Sequence, residues 1–275
     1  MPDLSTSYLG LNLPTPIIVG SSGLTDKPEK NVLLEQYGAG AVVLKSIFEE
    51  EILMEYEHIL KDEEPGGYRE YYLDYLDQRI KEINMEKYLE LIANTKKRIK
   101  IPVIASINCS TAHEWTYFAK KFEAAGADAL ELNIFILPSN IYQSAENIEH
   151  THLEIIRSVR NEIRIPIAVK MSSYFSNLAG IITELSYCNI NGLVLFNRSY
   201  SPDIDIEKME VTSSGIFSTP KDLTISLRWI AIMANRVKCD LAASTGVHDG
   251  RAVVKQLLAG ANAVQVVSSL YSNGP

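Results

Sequence analysis

The chain has 275 residues, of which 46% are hydrophobic and 22% charged, and its formal net charge at pH 7 is −8. This composition is ordinary for a globular protein, and the length suits one large domain or two small ones. The negative charge argues against nucleic acid as a partner, because phosphate backbones require a basic surface.

The cysteines and the chain start narrow the class of protein further. Three cysteines stand far apart without a CxxC pair, so no zinc or iron–sulfur site is predicted, and the sparse, odd count is typical of a reducing compartment. The N-terminus lacks the basic start and apolar core of a signal peptide. No apolar run approaches the roughly 20 residues of a membrane helix. We therefore expect a cytoplasmic protein with no metal and no membrane partner.

Eight short apolar runs alternate with longer amphipathic stretches along the chain. The runs span residues 16–20, 41–45, 102–108, 128–133, 166–171, 192–197, 240–245 and 263–268. The stretches between them carry apolar residues at spacings of three and four, which predicts helices. Strands that alternate with helices in this way predict a parallel sheet.

A weak internal repeat refines this prediction. YGAGAVVL, AAGADALEL and LAGANAVQV share one plan, in which a helix ends at Gly and a buried strand follows. Eight strands with such repeats favour a TIM (β/α)8 barrel, an α/β fold. An open doubly wound sheet would carry a GxGxxG turn after its first strand, and none is present. We predict a single barrel domain over residues 1–275.

Two connections between the predicted elements are long. Residues 46–85 separate the second strand from the next helix, and residues 198–219 follow the sixth strand. The first connection is acidic and rich in tyrosine, and we predict it to be a long insertion after strand 2. The sequence stops soon after the eighth strand, so we expect the closing C-terminal helix of the barrel to be missing from it.

Polar residues occupy the carboxyl ends of the predicted strands, where TIM barrels carry their active sites. Lys45, Asn133, Lys170 and Asn197 stand at such ends, and these groups are costly to bury unless they are paired. Strand alternation puts Glu131 on the same face as Asn133, so Glu131 could neutralise Lys170 from the next strand. Alternatively, the lysines extend past the rim of the barrel into solvent.

The last two strands end in small and hydroxyl-bearing residues. Residues 244–250 read STGVHDG, and two serines follow the eighth strand. Barrels often bind a phosphate group after strands seven and eight, and a glycine there lets backbone N–H groups approach an anion. Ordinary turns use the same residue types. The predicted phosphate site consists of Ser244, Thr245, Gly246, Ser268 and Ser269.

Taken together, these segments resemble the soluble class of the dihydroorotate dehydrogenase family, whose members are FMN-dependent barrels. LSTSYLGLNLPTPIIVGSSG is similar to the family's opening hairpin and first strand, and AGAVVLKS to its second strand. ELN is similar to the fourth strand, IAVKMSSYF to the fifth, and SSGIFSTPKDL to a flavin-contacting loop. STGVHDGRAVVKQLLAGANAVQVVSS resembles the phosphate segment, so the resemblance covers essentially the whole chain.

The resemblance implies FMN as the cofactor and hydride transfer between a small polar substrate and flavin N5. It implies catalytic roles for Lys45 and Lys170, with Lys170 near flavin N1 and O2, and substrate binding by Asn133 and Asn197. It also implies pyrimidine biosynthesis and a homodimer. The implied FMN-binding residues are Ser21, Ser22, Gly23, Lys45, Ser46, Asn133, Lys170, Gly215, Ser244, Thr245, Gly246, Ser268 and Ser269.

The sequence also departs from the family pattern. Leu137 stands directly before Pro138, where the family carries a Cys or Ser that accepts a proton, and Leu cannot act as a base. Thr245 and Val267 replace glycines of the phosphate segment. We therefore expect FMN binding with weak or no oxidation of dihydroorotate.

Two other functions stay open. The first is an FMN-binding protein that has no substrate chemistry of its own and docks to a redox partner. The second is a non-flavin barrel of the aldolase type, in which Lys170 forms a Schiff base with the substrate.

Overall fold

The computed structural model describes residues 3–48, 69–109, 112–198, 201–214 and 217–275. Its strands are β1 (Thr6–Tyr8), β2 (Leu11–Leu13), β3 (Ile17–Val19), β4 (Ala41–Val43), β5 (Ile47–Phe48), β6 (Val103–Asn108), β7 (Ala129–Ile134), β8 (Ile167–Met171), β9 (Gly192–Leu195), β10 (Ser201–Asp205), β11 (Glu210–Ser214), β12 (Asp240–Ala243) and β13 (Ala263–Val266).

Eight of these strand positions form a closed parallel barrel. The order around it is β4, β3, β13, β12, β9, β8, β7 and β6, and a pairing between β4 and β6 closes the sheet. Strand β5 continues the path of β4 and pairs with the upper half of β6. The predicted TIM barrel is confirmed, because each of the eight predicted apolar runs supplies one barrel strand.

Helices surround the barrel and connect its strands. They are α1 (Pro28–Gln36), α2 (Arg69–Arg98), α3 (Ala112–Ala124), α4 (Ala145–Glu162), α5 (Leu178–Ser186), α6 (Leu223–Met233), α7 (Gly250–Leu258) and α8 (Ser268–Asn273). Side chains cap several of them: Ser144 accepts the N–H of Asn147, and Asp249 accepts that of Ala252. No helix in the described ranges is both long and apolar enough to cross a bilayer.

Glycines end three of the helices as the repeat predicts. Gly38, Gly126 and Gly260 have φ values of 93°, 94° and 109° at the turns that lead into β4, β7 and β13. Such left-handed backbone favours residues without a Cβ. The shared plan in the sequence is therefore a repeated turn from helix to strand.

Both predicted long connections contain regular secondary structure that the sequence reasoning did not predict. Helix α2 begins at Arg69, so the second half of the predicted connection 46–85 is helical, while residues 49–68 lie outside the described ranges. Residues 198–219 contain an antiparallel hairpin of β10 and β11. After β13 the chain forms α8, a helix of six residues.

An antiparallel hairpin of β1 and β2 closes the amino-terminal end of the barrel. Tyr8, Leu9 and Leu13 are buried there, in one apolar cluster with the inward-facing residues of the barrel strands. The backbone N–H of Leu9 also donates to the Asp240 carboxylate at 2.7 Å. Because this end is filled, polar groups on the inner wall face only the carboxyl end.

Candidate active site

A buried lysine lies inside the upper half of the barrel with two polar partners. Lys170 of β8 donates to the Gln265 amide oxygen at 3.0 Å, and its Nζ lies 3.8 Å from a Glu131 carboxylate oxygen. Gln265 in turn donates to the other oxygen of Glu131 at 2.5 Å. The exposed fractions are 9%, 2% and 1% for Lys170, Gln265 and Glu131. A buried charge needs such compensation, so the expectation that Glu131 neutralises Lys170 is confirmed.

An amide pair stands at the carboxyl ends of the same region. The Asn197 side-chain N–H donates to the Asn133 side-chain oxygen at 2.8 Å. Asn133 lies directly beside Lys170 in the register of β7 and β8. This bond orients both amides at the open end of the barrel, one strand apart on either side of Lys170.

A chain of three serine hydroxyls, here called the serine chain, crosses the first three strands of the barrel. Ser21 and Ser46 hydroxyls are 2.9 Å apart, and those of Ser46 and Ser106 are 2.6 Å apart. Ser106 is fully buried, and it pairs with Glu131 in the register of β6 and β7. The serine chain therefore reaches from the rim at Ser21 down to the level of Glu131, the carboxylate paired with Lys170.

A β-bulge explains why two consecutive residues, Lys45 and Ser46, face the interior. Four residue steps from Val43 to Ile47 lie opposite three steps from Ile104 to Ile107, so the second barrel strand carries one extra residue. Val43 packs in the inner cluster, whereas Leu44 and Ile47 pack in the outer one. Alternation then turns Lys45 inward, and the bulge turns Ser46 inward as well.

One cavity of about 210 Å³ joins the lysine to the predicted phosphate end. Its lining residues include seven of the predicted site residues: Ser21, Lys170, Asn197, Ser244, Thr245, Gly246 and Ser268. Asn133 and Ser46 adjoin it through their bonds to Asn197 and Ser21.

The phosphate end contains two residues with left-handed backbone. Gly246 has a φ of 78°, and a Cβ on it would lie 2.1 Å from the backbone nitrogen of Leu223. Thr245 has a φ of 77°, a conformation rarely adopted by β-branched residues. Its hydroxyl donates to the Phe196 carbonyl at 3.1 Å. Thr245 thus adopts a left-handed backbone conformation that favours glycine.

Other predicted site residues stand apart from this cavity. The Ser22 hydroxyl donates to the Gly20 carbonyl within its own turn, and the Gly23 carbonyl accepts from Lys30. Ser269 lines a separate groove of about 220 Å³ that is also bordered by α1 and α7. Gly215 lies outside the described residues.

The described residues of the loop after β7 direct no proton-accepting side chain into the site. Ile136 packs against the apolar core, and the Leu137 side chain is 54% exposed. Ser139 is exposed, and Tyr142 is 90% exposed. The side chains that could accept a proton here therefore point to solvent, while the position before Pro138 is apolar.

Two members of the site were not predicted from sequence. Gln265 is a single amide within an otherwise apolar strand, and Ser106 is the inward residue of VIASIN. A polar residue in the middle of a buried strand requires a partner, which was the available signal for both.

Comparison with known proteins places this geometry in a family. A family model described as dihydroorotate dehydrogenase matches residues 70–275. The catalytic subunit of dihydroorotate dehydrogenase B (NAD(+)) from Thermoplasma volcanium is 26% identical over 283 residues, which cover 100% of this chain and 89% of that protein.

Two further relatives are also catalytic subunits of dihydroorotate dehydrogenase B (NAD(+)). The protein from Pyrococcus abyssi is 26% identical over 98% of this chain and 89% of its own length. The protein from Methanocaldococcus jannaschii is 22% identical over 98% of this chain and 88% of its own length. With a closed barrel, a buried lysine at its carboxyl end and a family match over most of its length, this chain belongs to the dihydroorotate dehydrogenase family.

Proposed function

We propose that the chain is an FMN-dependent oxidoreductase that acts on a small polar substrate other than dihydroorotate. The observation that carries the proposal is the buried Lys170, held by Gln265 and Glu131 in the same cavity as the predicted phosphate end. Family membership supports an oxidoreductase that uses FMN.

The residues present fit this cofactor. The ammonium of Lys170 suits the ring edge that carries negative charge in reduced flavin, and Ser21 and Ser46 add hydroxyls nearby. Ser244, Gly246 and Ser268 supply hydroxyls and a glycine turn of the kind that binds a phosphate group. FMN, when bound, supplies a two-electron acceptor.

The chain's own groups have distinct roles in this proposal. Lys170 is a positive charge held in a largely buried position, where electrostatic stabilisation is stronger than in water. Asn133 and Asn197 form a bonded pair at the open end, where they would orient a polar substrate. Lys45, which strand alternation turns inward, adds a second positive charge that favours a substrate with an anionic group.

Dihydroorotate is not the expected substrate, because the position of the base is apolar. Loss of a general base typically costs on the order of 10²–10⁴ in rate. The exposed Leu137 and the partly buried Ile136 offer no atom that accepts a proton. The substrate is therefore expected to be one whose oxidation does not require a base from this loop.

A spectrum of the purified protein, with mass identification of any bound cofactor, tests the proposal. We expect the spectrum to show a flavin band at about 450 nm. A panel of small carboxylates and cyclic amides is then screened under anaerobic conditions, and the substrate should bleach this band. A colourless protein that takes up no added FMN would contradict the proposal.

A second candidate is an FMN protein that exchanges electrons with a protein partner. It is favoured by the β10–β11 hairpin, which exposes apolar side chains just after the site: Ile204 is 65% and Val211 78% exposed. Exposed apolar surface of this kind is typical of protein contacts. Photoreduced protein that passes electrons to an acceptor, yet is reduced by no metabolite in the panel, would favour this candidate.

The geometry argues against the Schiff-base alternative. A catalytic amine must be free to attack a carbonyl. The Lys170 ammonium is instead engaged by a carboxylate and an amide oxygen, which makes it a poor nucleophile. Borohydride treatment in the presence of carbonyl substrates is expected to leave Lys170 unmodified.

A further inference from the structure

The bulge in the second barrel strand lies opposite Ser106 of β6. The Leu44 N–H still donates to the Ile104 carbonyl at 2.9 Å, and pairing resumes at Ile47 and Ile107. Between these points lies Ser106, whose N–H and C=O point toward the same strand as those of Ile104. The extra residue therefore interrupts the regular spacing of the ladder beside Ser106.

Tyr88 of helix α2 bonds the backbone of Ser106 through its phenol. The hydroxyl accepts the N–H of Ser106 at 2.9 Å and donates to the Ser106 carbonyl at 3.0 Å. A phenol is both donor and acceptor, so one group satisfies both. The ring is 7% exposed and packs 4.6 Å from that of Phe122. Burial also raises the pKa of Tyr88 well above its ordinary value, so the hydroxyl stays protonated.

Ser21 secures the bulge from the inner side of the barrel. Its hydroxyl accepts the backbone N–H of Ser46 at 2.7 Å. The Ser106 side chain simultaneously contacts the Ser46 hydroxyl. The bulge is thus bonded on its inner side by Ser21, while Tyr88 bonds the backbone of the opposite strand from helix α2.

We propose that Tyr88 is a positioning residue, whose phenol maintains the bulge that turns Lys45 and Ser46 together toward the cavity. Without the bulge, alternation would turn one of these two neighbours away. The effect on the backbone follows from the contacts of Tyr88 alone. The consequence for FMN rests on the proposed function.

Hydrogen–deuterium exchange of the cofactor-free protein tests the effect on the backbone. Tyr88→Phe keeps the ring and removes only the hydroxyl. We expect peptides covering residues 44–48 and 104–108 to exchange about tenfold to a hundredfold faster in Tyr88→Phe, because a buried N–H and C=O lose their partner. Ile92→Val, one turn further along the same helix and also fully buried, removes one methyl group and is expected to leave these peptides unchanged.

Binding of FMN to the same proteins tests the consequence for the site. We expect the Kd of FMN to rise roughly tenfold in Tyr88→Phe and to stay at the wild-type value in Ile92→Val. An equal loss of FMN affinity in both variants would show that Tyr88 contributes only packing. Unchanged FMN affinity in Tyr88→Phe, despite faster exchange, would also overturn the positioning role.

The two failures can be told apart. If the wild-type protein binds no FMN, the proposed function fails, and the exchange data still decide whether Tyr88 holds the bulge. If Tyr88→Phe does not fold, hydrogen–deuterium exchange of the wild-type protein tests the backbone contact instead. The amides of residues 104–108 should then be as protected from exchange as those of the neighbouring strands. Exchange at the rate of an open loop there would overturn the proposal.

Discussion

At the scale of single residues, the positive charge of Lys170 is balanced by one carboxylate. Glu131 is the acidic side chain paired with it in the described residues, and Gln265 links the two. In the proposed function, the charge of the buried Glu131 would oppose the stabilisation that Lys170 gives to reduced flavin. The potential of bound flavin should therefore depend on this carboxylate.

Glu131→Gln should raise the midpoint potential of bound FMN. Removal of a negative charge beside Lys170 stabilises the anionic reduced cofactor, and a shift of about 30 mV corresponds to about 1.4 kcal/mol for two electrons. Spectroelectrochemical titration measures the shift. Glu154→Gln, an exposed carboxylate on α4, is the control and should leave the potential unchanged; a lower potential in Glu131→Gln would be inconsistent with the proposed site.

His152 predicts a pH dependence of stability. It is fully buried on α4, its Nδ1 lies 2.8 Å from the Ile148 carbonyl, and its Nε2 has no hydrogen-bond partner among the described groups. Burial lowers its pKa in the folded state, although the Ile148 contact raises it slightly. The unfolded chain therefore takes up the proton first, so stability is lost as pH falls below about 6.5.

Urea unfolding at pH 7.5 and pH 5.5 measures this contribution. The wild-type protein should lose more free energy of unfolding between these values than His152→Leu, which cannot titrate. His150→Leu replaces an exposed histidine on the same helix and should behave like the wild type. Equal losses in all three proteins would remove His152 as a source of the dependence.

Sequence reasoning found those site residues that stand at strand ends. Lys170, Asn133 and Asn197 were visible because polar residues interrupt apolar runs there. Tyr88 was not visible, because its role depends on an extra residue between Val43 and Ile47, more than forty positions before it in the chain. A bulge leaves no clear pattern in a short strand.

At the scale of elements, the β1–β2 hairpin that closes the amino-terminal end of the barrel packs tightly against Gly192. A Cβ on Gly192 would lie 2.5 Å from a Leu9 methyl group and 3.2 Å from the Tyr8 ring. The hairpin therefore reaches its position because the first residue of β9 has no side chain.

Gly192→Ala should destabilise the protein by about 1–3 kcal/mol, the usual cost of overpacking a core. Gly250→Ala is the matched control, because a Cβ there meets nothing within 4 Å and alanine favours the helix that begins at this residue. Urea unfolding compares the two variants. A Gly192→Ala protein as stable as Gly250→Ala would show that the hairpin does not pack as described.

The elements were predicted well where apolar runs were short and bounded, and less well after the second strand. Helix α2 extends over charged and tyrosine-rich residues from Arg69 onward. No Gly or Pro occurs between Gly67 and Pro102, so nothing interrupts a helix there. Charge content suggested a loop, whereas the absence of helix breakers was the better signal.

At the scale of the whole molecule, the barrel determines which chemistry is possible. Closing eight parallel strands brings residues from β7, β8, β9 and β13 into one site, although they are far apart in sequence. The family match and this arrangement support FMN binding, while the proposed function assigns no base for dihydroorotate to the apolar start of the loop after β7. Cofactor and substrate are therefore separable features of the fold.

Anaerobic mixing of the FMN-loaded protein with dihydroorotate, followed at about 450 nm, tests this account most directly. We predict that the loaded protein shows the flavin band and that the band persists for minutes after mixing, because the described residues of the loop after β7 direct no proton-accepting side chain toward the site. Bleaching at an ordinary enzymatic rate, about 1 s⁻¹ or faster, would contradict the account.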